Sequence, residues 1–181
     1  MKFNMENIVV DGDPKLRMPS VDIKVPVSDT DLELIQAMVD FVKRSQTDSF
    51  DDNDDAFTSA VGMSAPQFGI NKRIFVVTEI RDNKQVFHVV VNPKIVKRSD
   101  KFIKLSTGEN CLSVPNGKSL KLNRSRDIRW NGYLVDPEDG SYEQKKMSPA
   151  KGYDSIVFQH EYDHLEGLLY IDREPGVIHG I

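Results

Sequence analysis

The sequence is poor in cysteine, in proline and glycine, and in long apolar runs, and each shortage excludes a class of protein. A single cysteine among 181 residues cannot form an internal disulfide, which is typical of a chain kept in a reducing compartment. With 11 glycines and 9 prolines against 39% hydrophobic residues, the chain is neither collagen-like nor low in complexity. Its longest apolar runs have the length of a strand, so we expect no membrane span.

Charge and the first residues exclude two further classes. The formal net charge is −4, and no basic block is long enough to favour binding to nucleic acid. Lys2 is not followed by the apolar core of a secretory signal. We therefore expect a cytoplasmic protein, and the length fits one domain over residues 1–181.

Two segments have the apolar periodicity of a helix. Thr30 and Glu33 have the spacing of a capping box, and an apolar stripe follows them, which predicts a helix over 30–44. A second helix is predicted to start at about Pro149 or Gly152 and to end at Leu165. The acidic segment 45–58 lacks the turn glycine and closing glutamate of a calcium loop, so we expect a solvated, mobile surface insertion.

Short apolar stretches separated by turn residues lie between the two helices. The turn at 81–84 joins the first two stretches as an antiparallel hairpin. The predicted strands are 73–80, 85–91, 95–96, 102–105, 128–135 and 141–147. A helix, several antiparallel strands and a second helix predict an α+β fold.

The second helix contains the pattern H-E-x-x-H. His160 and His164 are four residues apart, so on a helix their rings project from one face and can share a metal ion. Glu161 can then reach a metal-activated water without binding the ion. The same five residues also fit an ordinary helix with two histidines. The apolar residues around them favour a buried helix, in which these polar groups need partners.

Sequence spacing alone does not decide which side chain is the third ligand of the metal ion. Downstream of His164, the acidic candidates are Glu166, Asp172 and Glu174, of which Glu166 is too close along the same helix to converge easily. His179 is too far along to be the third histidine of a metzincin-type site. Upstream, Cys111 would complete a His₂Cys set and leave the fourth position free for water, as catalytic zinc-type sites require. A lone cysteine is otherwise most often an inert small hydrophobe.

Two further features concern the surroundings of such a site. In the segment Ala60–Gln67, small residues including Gly62 let a strand approach a ligand closely, although a tight turn explains the segment equally well. Tyr153, Ile156 and Val157 share a helix face with the histidine pair, so they either line a pocket or simply pack in the core.

Taken together and in this order, these segments resemble the peptide deformylase family, whose motifs read G-φ-G-φ-A-A-P-Q, E-G-C-L-S and Q-H-E-x-D-H. They stand here as residues 60–67, 109–113 and 159–164, and the acidic insertion resembles the longer, Gram-positive-type branch. Ala60 and Ser64 replace one small residue by another. Asn110 replaces the glycine before the cysteine, and we expect it to keep the turn because asparagine tolerates the left-handed region.

The resemblance implies removal of the N-formyl group from the initiator methionine of nascent polypeptides, with release of formate. It implies that one divalent ion is held by Cys111, His160 and His164. The family implies Fe²⁺, whereas imidazole and thiolate ligands also suit Zn²⁺, Ni²⁺ or Co²⁺. Glu161 would accept and return the proton, and Asp163 either orients a ligand or forms a surface salt bridge.

The resemblance also assigns the residues around the substrate. Gln67 and the backbone N–H of Leu112 would stabilise the oxyanion, and Gly62, next to Val61, would pair with the extended substrate. Formylated nascent peptides and, transiently, the ribosome are the expected partners of a monomer.

Two alternatives remain at the level of the sequence. One is a zinc peptidase that uses H-E-x-x-H alone, and the other is a catalytically silent binding protein.

Overall fold

The computed structural model describes residues 1–47, 59–82 and 84–173. The helices are α1 (Asp29–Ser45) and α2 (Tyr153–Leu165). The strands are β1 (Gly62–Ser64), β2 (Ile74–Arg81), β3 (Lys84–Arg98), β4 (Phe102–Ile103), β5 (Arg124–Ser125), β6 (Asp127–Val135) and β7 (Tyr142–Lys151). Five of them form an antiparallel sheet in the order β1-β2-β3-β6-β7, and β4 pairs with β5. The predicted α+β class is confirmed.

The two helices cover opposite faces of the five-stranded sheet. Successive side chains of a strand point to opposite faces, so neighbouring residues of β2 belong to different cores. Ile74 and Val76 pack in the cluster that contains the apolar stripe of α1, whereas Phe75 packs in the cluster that contains Phe158 of α2. Cover on both faces explains why the first four residues of this strand, 74–77, are all apolar rather than alternating with polar residues.

Helix α1 begins one residue earlier than predicted, and its cap is a different residue. The Ser28 hydroxyl oxygen accepts a hydrogen bond from the backbone N–H of Asp31 at 3.2 Å, and Asp29 is the first helical residue. The predicted capping box of Thr30 and Glu33 is therefore wrong, although the predicted apolar stripe is buried. A serine satisfies the free N–H groups of the first turn equally well.

Strand β3 passes through Pro93, which lies between two stretches that the sequence analysis predicted as separate strands. The stretches 85–91 and 95–96 belong to one strand, with register shifts between Val91 and Lys94 and between Ile95 and Lys97. Proline has no N–H to donate to the strand ladder, and a bulge leaves a residue outside that ladder. The irregularity at Pro93 therefore lets the strand continue. The pairing of β2 with β3 confirms the predicted hairpin. One residue of its turn, Asn83, lies outside the described residues.

The start of α2 and the end of β4 also differ from the prediction. Ser148 and Pro149 belong to β7, so the start of α2 near Pro149 is wrong and the start after Gly152 is correct. Strand β4 is shorter than 102–105, and its partner β5 was not predicted. Most of the predicted acidic insertion, residues 48–58, lies outside the described residues. Within the described ranges, no helix is both long enough and apolar enough to cross a membrane.

Candidate metal centre

Helix α2 is anchored to the sheet on one side and carries polar residues on another. The Phe158 ring packs edge-on against Phe75, with centroids 4.9 Å apart, and lies 5.1 Å from the Trp130 ring. His160 and Glu161, which begin two residues after Phe158, line a cleft. The apolar residues before His160 therefore fix the helix, and the first two residues of H-E-x-x-H face the space that remains.

The structure brings one sulfur and two imidazoles together. The ligand atoms of Cys111, His160 and His164 all lie within 4.8 Å of one another, and Cys111 Sγ is 3.3 Å from His164 Nε2. Ligands on one tetrahedral ion with bonds of about 2.0–2.3 Å stand about 3.5 Å apart. The three side chains are thus spaced to bind a single cation.

The charge state of these side chains also fits a divalent ion. Burial by itself raises the pKa of the Cys111 thiol, but the adjacent His164 and His160 outweigh it and hold that pKa well below its usual value. The thiolate is the form of cysteine that binds metals. One thiolate and two imidazoles suit Fe²⁺, Zn²⁺ and related ions.

Buried charged side chains orient the His160 ring through its Nδ1 atom. His160 Nδ1 lies 2.9 Å from Glu109 Oε2, which leaves Nε2 to face the sulfur. Arg124 donates two hydrogen bonds to Glu109, at 2.8 and 2.7 Å, and a third to Asp163 at 2.6 Å. Asp163 also accepts from Arg173, and both Asp163 and Arg124 are buried, so the alternative of a surface salt bridge is wrong.

The pKa shifts of the two carboxyl groups follow from these pairs. Burial raises the pKa of Glu109, but hydrogen bonds from Arg124 and His160 more than offset it and lower that pKa. The same balance, with Arg124 and Arg173 as partners, lowers the pKa of Asp163. The sequence analysis did not single out Glu109 or Arg124. Glu109 stands two residues before Cys111 in one motif, whereas no pattern around Arg124 indicates its role.

Glu161 and Gln67 meet at the same end of the cleft. Glu161 is 3% exposed, and burial raises the pKa of its carboxyl group, although His160 and His164 partly counteract the rise. Gln67 Oε1 accepts a hydrogen bond from the backbone N–H of Ser64 at 2.8 Å. This contact turns the amide nitrogen of Gln67 towards Cys111 Sγ, 3.4 Å away.

The cleft has a volume of about 600 Å³, and two of the ligand side chains, Cys111 and His160, line it. Every residue that the sequence analysis assigned to the substrate lines it: Gly62, Val61, Tyr153, Ile156 and Val157, together with Leu112. Ile156 and Val157 are buried, and Tyr153 is half-exposed at the mouth. The arrangement suits an extended chain with one apolar side chain.

Comparison with known proteins agrees with this geometry. The family model described as polypeptide deformylase matches residues 5–177. This chain belongs to the peptide deformylase family. It is 33% identical to the peptide deformylase of Shouchella clausii over 97% of this chain and 92% of the relative, and 36% identical to peptide deformylase 2 of Bacillus subtilis over 94% and 90%. These relatives confirm the predicted Gram-positive-type branch.

Solved deformylase structures share the fold. The peptide deformylase of Thermotoga maritima is 29% identical and superposes with a TM-score of 0.69 over 96% of this chain and 97% of the other. A probable peptide deformylase from synechococcus phage S-SSM7 is 30% identical, with a TM-score of 0.71 over 92% and 98%. The chain is thus a metal-dependent hydrolase that removes the N-formyl group from the formylmethionine of nascent polypeptides, releasing formate.

The three departures from the deformylase motifs have different surroundings. Ala60 is buried, and its carbonyl accepts a hydrogen bond from Gln46 at 2.5 Å. Asn110 is exposed on the wall of the cleft and does not have a positive φ, so the expectation that it occupies the left-handed region is wrong. Gly108, with φ of 83°, makes the left-handed turn instead. Ser64 contacts Glu161 directly.

Two of the other candidates for the third ligand, Glu166 and Asp172, have other partners. Glu166 accepts a hydrogen bond from Arg73 at 2.7 Å, and Asp172 accepts one from the backbone N–H of Leu169 at 2.7 Å. Glu174 and His179 lie outside the described residues. Within residues 1–47, 59–82 and 84–173, Cys111 is the side chain that joins the histidine pair.

Replacing Arg124 with Met should lower the free energy of unfolding by about 3–5 kcal/mol, because it leaves two buried carboxylates without their shared cation. Chemical denaturation measures the change. The matched control is Arg126→Met, because Arg126 is half-exposed and pairs with its neighbour Asp127 at 2.8 Å. Arg126→Met should lower the free energy of unfolding by less than about 1 kcal/mol. Equal losses in the two variants would contradict a special role for Arg124.

Replacing Gly62 with Ala should lower formate release by about 10²-fold, the effect of a small misplacement of a reacting group. A Cβ atom at residue 62 would lie 2.6 Å from Glu161 Oε1, so the carboxylate has to move. Metal content should stay at the wild-type level, since no ligand atom is displaced. Steady-state kinetics beside metal analysis checks the result, and unchanged kinetics would show that Glu161 tolerates the displacement.

Proposed function

We propose that Cys111, His160 and His164 hold the divalent ion and that Glu161 handles the proton of the hydrolysis. A bound divalent cation supplies a Lewis acid, which makes water acidic enough to attack near neutral pH. Glu161 accepts the proton of the attacking water and delivers it to the amine of the methionine as the amide bond breaks. The observation that carries the proposal is the placement of this buried carboxyl group beside the Cys-His-His set.

Two donors are proposed to stabilise the charge that develops on the formyl oxygen. One is the amide nitrogen of Gln67, which Ser64 holds in a single orientation. The other is the backbone N–H of Leu112, next to Cys111 on the wall of the cleft. Donors that are already oriented cost no reorganisation during the reaction, and one such donor is typically worth about 10²–10³ in rate.

We propose that the substrate binds as an extended chain against β1. This strand lies at the edge of the sheet, so the outer backbone groups of Gly62 are available to pair with a peptide, whereas the carbonyl of the adjacent Val61 already accepts from the Thr78 N–H at 2.9 Å. Ile156, Val157 and Tyr153 supply an apolar wall for the methionine side chain. These residues position the formyl group at the end of the cleft where Glu161 lies.

The metal identity and the cellular setting complete the proposal. We propose Fe²⁺ as the native ion, with Zn²⁺, Ni²⁺ or Co²⁺ able to replace it, because the thiolate–imidazole set suits all four. The chain, residues 1–181, would act as one catalytic domain and as a monomer in the cytoplasm, in transient contact with the ribosome.

The test is a formate-release assay with formyl-Met-Ala-Ser, beside metal analysis of protein purified without oxygen. We expect about one iron per chain, turnover that fades in air, and activity in the Ni²⁺-substituted protein that persists in air. Removal of the metal by a chelator should abolish turnover, and Fe²⁺ or Ni²⁺ should restore it. No formate release by fresh Fe²⁺, Ni²⁺ and Co²⁺ protein would overturn the proposal.

A further inference from the structure

The hydroxyl group of Ser64 touches the carboxyl group of Glu161. Ser64 Oγ lies 2.5 Å from Glu161 Oε2 and 3.1 Å from the backbone carbonyl oxygen of the same residue. Ser64 is fully buried and Glu161 is 3% exposed, so water does not compete for the contact. A hydrogen bond to a charged acceptor in such a place is strong and directional.

Strand β1 holds the serine in place. Its register against β2 pairs Gly62 with Val77 and Ser64 with Phe75, which fixes the backbone on both sides of the contact. Residues two apart on a strand point to the same face, so Gly62 and Ser64 both meet Glu161. Gly62 leaves the space that Oε1 needs, and Ser64 supplies a donor to Oε2.

No other side chain of the described residues forms a hydrogen bond with the Glu161 carboxyl group. The deformylase motif that this segment resembles has alanine at position 64, which lacks a donor. The serine therefore adds to this chain a constraint on the orientation of Glu161 that the motif itself does not contain.

We propose that Ser64 is a positioning residue that fixes the carboxylate of Glu161 for proton transfer. The inference rests on the proposed function of Glu161. A hydroxyl group suits the task because its O–H can rotate to meet an acceptor. It donates to Oε2 at 2.5 Å, and the backbone carbonyl oxygen of the same residue lies 3.1 Å from Oγ.

The kinetic test is Ser64→Ala in the metal-containing enzyme, a change that restores the residue of the family motif. We expect kcat for formate release to fall about tenfold, the factor that one hydrogen bond to a charged group is typically worth. KM should stay within twofold and metal content should not change. The control is Ser155→Ala, since Ser155 is fully buried on α2 but donates to the Ser125 carbonyl at 2.8 Å. An unchanged kcat, or an equal fall in the control, would overturn the inference.

A stability measurement separates this inference from the role of Glu161 in catalysis. Denaturation midpoints are compared for the wild type, Ser64→Ala, Glu161→Ala and the double variant, all at equal metal content. If Ser64 acts on Glu161, Ser64→Ala lowers the midpoint in the wild type and has little effect once Glu161 is absent. Equal shifts in both backgrounds would mean that Ser64 merely fills space. This result holds even if Glu161 is not the base.

Discussion

Replacing Glu161 with Gln is expected to lower kcat for formate release by about 10²–10⁴-fold while the metal stays bound. Gln keeps the size of the side chain and can still accept the hydrogen bond from Ser64, but its amide cannot take up a proton. The ligand atoms of Cys111, His160 and His164 are untouched, so metal content should equal that of the wild type. Steady-state kinetics checks the fall in kcat, and metal analysis of the same preparation checks that the metal stays bound.

The control for this variant is Glu166→Gln. Glu166 follows the last residue of α2 and pairs with Arg73 on the surface, so its loss of charge should change kcat less than twofold. Formate release near the wild-type rate in Glu161→Gln would remove Glu161 from the mechanism. Loss of metal together with activity would instead mean that the charge of Glu161 supports ion binding.

Replacing Cys111 with Ala is expected to abolish stoichiometric metal binding and, with it, formate release. The remaining pair of histidines presents two ligands where a catalytic site needs three from the protein. Affinity should fall by more than about 100-fold, the upper range for losing a group that only supports a ligand. Metal analysis after dialysis and a competition titration with a chromogenic chelator measure the loss.

His88→Ala is the matched control for Cys111→Ala. His88 lies on β3, where its ring pairs with Glu79 at 3.0 Å, and we expect that variant to retain one metal per chain. Retention of tightly bound metal by Cys111→Ala would favour a site built on H-E-x-x-H alone. It would contradict the ligand set proposed above.

Local patterns predicted the elements of the fold well. The apolar stripe of α1 and the i, i+4 spacing of His160 and His164 are properties of one helix, and both are visible in a short window of sequence. Errors occurred where two patterns compete. Pro93 suggests a break, yet a bulge lets β3 continue, and Pro149 suggests a helix start, yet the chain there is still an outer strand.

The parts of the site that depend on distant residues were not predictable from spacing. Cys111 and His164 are 53 positions apart, and only the resemblance to a family chose Cys111 over the acidic candidates downstream. Nothing local marks Arg124 as the partner of Glu109 and Asp163, because an isolated arginine is usually a surface residue. The contact of Ser64 with Glu161 spans 97 positions, and the substitution at 64 suggested only that a small residue is kept.

The distance along the chain between Cys111 and α2 has a thermodynamic consequence. An ion shared by the central loop and the last helix joins two segments that are far apart in the sequence and meet only in the folded chain. It also stabilises the native state by mass action, since the unfolded chain does not hold the three ligands together. The melting temperature of this protein should therefore rise with the concentration of free divalent cation, and thermal unfolding becomes a measure of cofactor saturation.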